Sequence, residues 1–163
     1  MARILSPTVA SRRDQIKMSD AELSAFLQEE KIVTVATLGP SGRPHLMPLW
    51  YVADGHELRG WTFAKSQKTR NLERDPRATL QVEAGVDYAE LRGAMLECDV
   101  EVERDTAPVT EVGLELFSRY GGGGEPGPEV RNMVAKQAPK RVGLRFLPTR
   151  IVTWDHRKLG GVY

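Results

Sequence analysis

The residues best equipped for chemistry lie in Gly60-Trp-Thr-Phe-Ala-Lys-Ser-Gln-Lys-Thr-Arg-Asn-Leu-Glu-Arg-Asp-Pro76. Trp61, Thr62 and Phe63 are aromatic or β-branched and predict a strand. Ser66 suits an N-cap, its side-chain oxygen accepting from the amide of Lys68 or Thr69. Pro76 stops the ensuing helix by disfavouring helical geometry at Asp75. A short helix would then aim its positive end at the top of a strand. Free amides, the Ser66 hydroxyl and the ammonium groups of Lys65 and Lys68 would converge there, the equipment for holding a phosphate. Spacing by itself leaves two readings open, a phosphate grip and plain helix punctuation. A lysine in the first turn is unfavourable unless an anion offsets it. Arg70, Arg74 and Arg77 fall at i, i+4 and i+7 and read as a solvated basic face, with Glu73 and Asp75 as partners.

Other chemistries find less support. His45, His56 and His156 show no H-x-x-H spacing and there is no C-x-x-C, so nothing predicts a zinc site. Asp155 and His156 are adjacent, but successive residues on a strand point to opposite faces. No nucleophile elbow accompanies them. G-x-G-x-x-G is absent, and the four glycines after Tyr120 follow a predicted helix instead of a strand, which excludes Rossmann binding. The net charge of +1 gives no global field for nucleic acid or an anionic membrane. With one cysteine, Cys98, no internal disulfide can form, and a reducing cytoplasm is the expected compartment. No window reaches the roughly 18 apolar residues of a membrane span. A candidate phosphate grip with few acid–base side chains suits a protein whose cofactor carries the chemistry.

The elements that must position this corner can be read in order. Residues 1–18 read as an N-terminal arm and 19–163 as a single domain, in keeping with a length of 163 residues. Ser19-Asp-Ala-Glu22 is a capping box opening a helix with Leu23, Phe26 and Leu27 on one face. Ile32–Leu38 predicts a strand, Gly39-Pro-Ser-Gly42 a turn, and Pro44–Val52 a return strand. Pro44 and Pro48 lack amide donors, which puts that strand at an edge or makes it irregular. Strands follow over Glu57–Phe63, Arg77–Ala84 and Tyr88–Glu103. In the last, Ala94, Leu96, Cys98, Val100 and Val102 alternate with a solvated acidic face of Glu97, Asp99, Glu101 and Glu103. Helical spacing returns over Thr106–Tyr120 and Glu129–Ala138, and a final strand follows from Arg141 to Trp154, interrupted at Pro148 or split there into a pair. Short connections argue for antiparallel pairing. The fold class expected is α+β, mainly β: a barrel or strongly curled sheet of about six antiparallel strands with peripheral helices.

Lys68-Thr-Arg-Asn-Leu-Glu-Arg-Asp-Pro-Arg77, with Thr37-Leu-Gly-Pro-Ser-Gly-Arg-Pro-His-Leu-Met-Pro48 before it, resembles the flavin/deazaflavin oxidoreductases that share the split β-barrel of pyridoxamine phosphate oxidases. Tyr88-Ala-Glu-Leu-Arg-Gly93, Arg119-Tyr120 and Thr153-Trp-Asp-His-Arg-Lys-Leu159 are similar to the actinobacterial branch that uses the deazaflavin coenzyme F(420). The resemblance spans about Ala21 to Leu159. It implies a homodimer with two cofactor sites between the protomers. Pro48, Trp50, Thr62 and Phe63 would flank the ring system. Lys65, Ser66, Lys68 and Thr69 would hold the phosphate, and Asn71 would brace the helix. The other protomer would add Trp154 and Lys158, although Trp154 reads equally as a core or interface residue.

The reaction implied is hydride transfer from the reduced deazaflavin to an electron-poor C=C or C=N of a second ligand. The protein would supply orientation and exclusion of water, and the proton could come from Tyr88, Tyr51, His45 or solvent. Arg70, Arg74 and Arg77 could attract the coenzyme's anionic tail, beside their reading as solvated charge. Two other functions stay open: an FMN-binding oxidoreductase of the same fold, and a non-catalytic binding or storage protein for F(420) or heme.

Overall fold

The computed structural model describes residues 11–161. One antiparallel sheet organises them: β1 (Ile32–Leu38), β2 (Pro44–Trp50), β3 (Val52–Asp54), β4 (Glu57–Phe63), β5 (Arg77–Ala84), β6 (Arg92–Glu103) and β7 (Arg141–Asp155). Its order is β2-β1-β5-β6-β7-β4-β3. The first and last strands of that order are consecutive in the chain, joined through Tyr51 alone. One residue cannot cross the width of a flat seven-stranded sheet, so the sheet curls until its edges meet. Beyond the short β3 it is β4 that meets β2: a Cβ added at Gly60 would lie 2.9 Å from the Trp50 carbonyl oxygen.

Seven strands form where about six are expected, because Tyr51 breaks the predicted return strand and Val52–Asp54 pairs with β4 instead of β1. Tyr88–Glu90 is a 3-10 turn, so β6 begins at Arg92. β7 is a single strand through Pro148. The register slips there, pairing Cys98 with Pro148 and Glu97 with Arg150, and Thr149 is the extra residue. A bulge accommodates a proline that cannot donate to the ladder. The acidic face of β6 is also more than solvated: Glu97 pairs with Arg150 and Glu101 with Arg145 of β7.

Among the described residues, five α-helices surround the sheet. α1 (Arg12–Gln15) is one turn capped by Ser11. Met18 donates to the Thr153 hydroxyl and Asp155 to the Ile16 carbonyl, so the described part of the expected arm is bonded to β7. α2 (Asp20–Glu29) carries the full capping box at Ser19 and Glu22 and buries Leu23, Phe26 and Leu27. These pack inside the barrel with Val33, Val35, Leu80, Leu96 and Phe146. α4 (Thr106–Tyr120) and α5 (Pro128–Gln137) build a second core against the other face of β4, around Trp61, Val109, Leu116 and Val134. α3 (Gln67–Arg74) follows β4 and leans on β1.

Candidate anion site at the start of α3

The expected strand–cap–helix corner is present. Ser66 is extended and its hydroxyl oxygen accepts from the Thr69 amide at 3.4 Å. The Ser66 and Thr69 hydroxyls lie 3.0 Å apart, and Thr69 donates to the Phe63 carbonyl at 3.1 Å. Both hydroxyls therefore shape the turn. Among the described residues the amides of Gln67 and Lys68 meet no acceptor, as the first turn of a helix leaves them.

Lys68 is the unusual member. Its side chain folds back under the sheet and donates to the Thr62 hydroxyl at 3.1 Å, and the residue is only 8% exposed. No carboxylate among the described residues pairs with it. Desolvation accordingly pulls its pKa below the ordinary lysine value. A buried ammonium with three donors and one neutral acceptor is a cost, unless an anion joins it. Asn71, fully buried, donates to the Thr37 hydroxyl at 3.0 Å and accepts from Gln67 at 2.9 Å, locking α3 to β1. That lock fixes the angle at which the helix meets β4.

Of the three arginines of this region, Arg70 is exposed with no side-chain partner among the described residues, and the other two serve elsewhere. Arg74 donates to the Leu38 carbonyl and to Asn71, and Arg77, the first residue of β5, chelates Asp75. Arg77 holds the Asp75 carboxyl down at about 2. Glu73 pairs with Arg104 instead of a helix neighbour. Lys65 is exposed, with no ion-pair partner among the described residues.

Around the corner lies an apolar rim. Pro48 and Trp50 are exposed on the edge strand β2, and Phe63 is 51% exposed. Trp50 stacks on Tyr120 with ring centres 4.3 Å apart. Tyr120 is fixed in turn by bonds to the Tyr51 amide and the Lys31 carbonyl. Trp154 and Lys158 sit elsewhere. Arg141 opens β7 beside Phe63 and Asp155 closes it fourteen residues on, a span of up to about 45 Å along an extended strand. The Trp154 ring lies over Gly93, and Lys158 donates to Glu22 and to the Lys17 carbonyl. Of the three side chains named as proton donors, Tyr51 is removed. It is fully buried, its hydroxyl faces the Leu27 and Glu30 carbonyls, and burial drives its pKa far up.

One feature had no signal in the sequence. Arg141 stacks its guanidinium over Trp61 and Phe63, at 4.4 and 4.2 Å. Only the cross-strand register of β4 and β7 brings those three together. Among the described residues, two open depressions have linings that do not include Lys68. One of about 350 Å³ covers the outer faces of β1, β5 and β6, near Ala36, Thr79 and Glu97. Another of about 490 Å³ lies between α4 and the β4–β7 pair.

Comparison with known proteins places this architecture. A conserved hypothetical protein of Mycobacterium tuberculosis is 39% identical, with a TM-score of 0.85 over 94% of this chain and 95% of its own. A protein named F(420) reductase is 26% identical, with a TM-score of 0.61 over 78% of this chain and 94% of its own. The heme storage protein HutZ of Vibrio cholerae, 19% identical with a TM-score of 0.64 over 82% and 93%, shares the fold. A search of curated proteins gave no match. The sequence pattern described as pyridoxamine 5'-phosphate oxidase matches residues 19–155, and the chain belongs to that family of split-barrel proteins.

Proposed function

We propose that this protein is an F(420)-dependent oxidoreductase that works as a homodimer and reduces an unsaturated small-molecule acceptor. The observation that carries this reading is the Lys68 ammonium, buried beside Thr62 with no counter-ion among the described residues. A phosphoryl oxygen at Lys68 would restore a charge-assisted bond in a dry setting. The amides of Gln67 and Lys68 add donors at the helix's positive end. The similarity to an F(420) reductase over most of the chain favours the deazaflavin over FMN.

The deazaflavin, when bound, supplies the hydride. The chain's own residues do the rest. Lys65, Ser66 and Lys68 hold the phosphate, while Thr69 and Asn71 keep the turn in shape. Pro48, Trp50 and Phe63 form the wall for the ring, while Thr62, on the other face of β4, holds Lys68 in place. Trp50, clamped by Tyr120, loses little freedom when a ring docks on it.

The second wall comes from another copy. Leu46, Met47, Trp50 and Phe63 are all large, apolar and more than two-fifths exposed around one edge, which is a surface for protein contact. Trp154 of a second copy can complete the cleft. Lys158, neutralised by Glu22, contributes its stem more than its charge. His45, on β2, and Tyr88 remain as proton donors.

Fluorescence titration with F(420) and with FMN tests the cofactor assignment. Saturable F(420) binding is expected; tight FMN binding with none for F(420) defeats it. A screen for reoxidation of the reduced coenzyme by enones and quinones tests catalysis. Silence across that screen, with F(420) still bound, makes the protein a carrier.

A further inference from the structure

We infer a second oxyanion subsite at Arg141, which receives the carboxylate of the acceptor. Three observations point to it. The guanidinium lies over both the Trp61 and the Phe63 ring. Its Nε is buried with no partner, and no carboxylate among the described residues pairs with the side chain. Elsewhere the described part of the chain matches arginines to acids freely, as at Arg59–Glu115, Arg92–Glu29, Arg145–Glu57 and Arg157–Asp155. Other arginines without an acid are either exposed, as Arg12, Arg13, Arg43 and Arg70 are, or bonded to backbone carbonyls, as Arg74 and Arg119 are. Arg141 is half-buried over two aromatic rings with neither kind of partner among the described residues, its flat fork of donors free for a planar carboxylate.

Its position separates it from the phosphate corner without isolating it. Arg141 pairs with Phe63 across β4 and β7, and the Ala64 amide donates to the Lys140 carbonyl at 3.0 Å. The turn leading to Ser66 is thus bonded to the Lys140–Arg141 strand end. Thr62, which touches Lys68, and Phe63, which touches Arg141, point to opposite faces of β4. One small anion cannot serve both cations. Two anionic groups are needed, and Phe63, at the exposed rim between them, is the surface they share. Burial also lowers the Arg141 pKa, in keeping with a cation that no acid compensates. Arg74 and Arg77 are bonded to other groups, and Arg70 and Lys65 are exposed, where water screens a charge; Arg141, half-buried over two rings, is the better-placed cation for a second charge.

The subsite stands on geometry; its assignment to the acceptor rests on the hydride-transfer reading above. The direct test is an NMR titration of the arginine Nε–H signals with glutarate, the Arg141 signal being identified by its loss in Arg141→Lys. A saturable shift of that signal is expected, and no shift overturns the subsite. A crystal structure of a dimer with a carboxylate of the second copy on Arg141 overturns it too. This readout needs no cofactor, so it stands even if neither F(420) nor FMN binds.

Arg141→Met then distinguishes the sources. With reduced F(420), KM for a carboxylate-bearing enone should rise at least tenfold while that for a neutral quinone is unchanged. A tenfold loss of F(420) affinity with FMN affinity unaltered would place the oxyanion on the cofactor's tail and overturn the acceptor assignment. Should Arg141→Met fail to fold, Arg141→Lys keeps the charge without the stacked fork, and a several-fold rise in the same KM is expected. An unchanged KM there overturns the assignment.

Discussion

At the scale of single residues, Lys68 ties stability, and on the proposed function also binding, to one ammonium. Replacing it by Met removes a buried charge that Thr62 alone satisfies, so the ligand-free protein should gain about 1–2 kcal/mol in urea denaturation. The same change should weaken F(420) binding by about 1.5–3 kcal/mol. The sign with pH follows from its lowered pKa. Between the folded value and the ordinary lysine value of about 10.4, the unfolded chain holds more protons, so stability rises with pH across that window. Below it, the cost of burying the charge is constant. In Lys68→Met the rise should vanish; a wild-type-like rise would mean another group titrates. Cys98 gives an independent check. It is 3% exposed and burial pushes its thiol up to about 12, so it should ignore a disulfide reagent until the protein unfolds. Rapid labelling of the native protein would contradict the inward face of β6.

Among elements, helix α4 matters most to the rim. At its far end Arg119 donates to the Leu27, Gln28, Glu30 and Tyr51 carbonyls, three of them at the end of α2. A cation there caps free carbonyls and meets the negative end of α2. Tyr120, one residue on, carries Trp50. Earlier in the helix, Gly113 lets α4 close on the Trp61 ring. A Cβ there would come within 2.6 Å of Trp61 and 2.9 Å of Val134. Alanine gains about 1 kcal/mol in helix propensity, but overpacking costs about 1–3 kcal/mol. Gly113→Ala should therefore lower the melting temperature and alter tryptophan fluorescence, because Trp61 must move. An increase would show that the second core has slack.

For the molecule as a whole, the exposed edge of β2 is the feature that a single chain leaves unexplained. Leu46 is 57% exposed and an edge strand with apolar side chains invites a partner. Leu46→Asp should leave the barrel folded, since the side chain lies outside both cores, yet convert a dimer to a monomer in light scattering. On the shared-cleft proposal, loss of F(420) affinity should accompany that conversion, because one wall of the cleft would leave with the partner. A monomeric wild type that binds F(420) would defeat the shared cleft. No helix among the described residues is long and apolar enough to cross a membrane.

Much of this was legible in the sequence because it is decided between near neighbours. The capping box at Ser19 and Glu22, the cap at Ser66, the stop at Pro76 and the inward run from Ala94 to Val100 depend on spacings of two to four residues. The prolines of β2 likewise announced an edge. Barrel closure decided what spacing cannot reach. It split the return strand at Tyr51 and buried that phenol, turned Arg74 onto the Leu38 carbonyl, tied Lys158 to Glu22, and set Arg141 opposite Phe63. Each of these pairs residues from distant strands or helices, and their meeting depends on register and curl, which arise only when the whole sheet packs around its core.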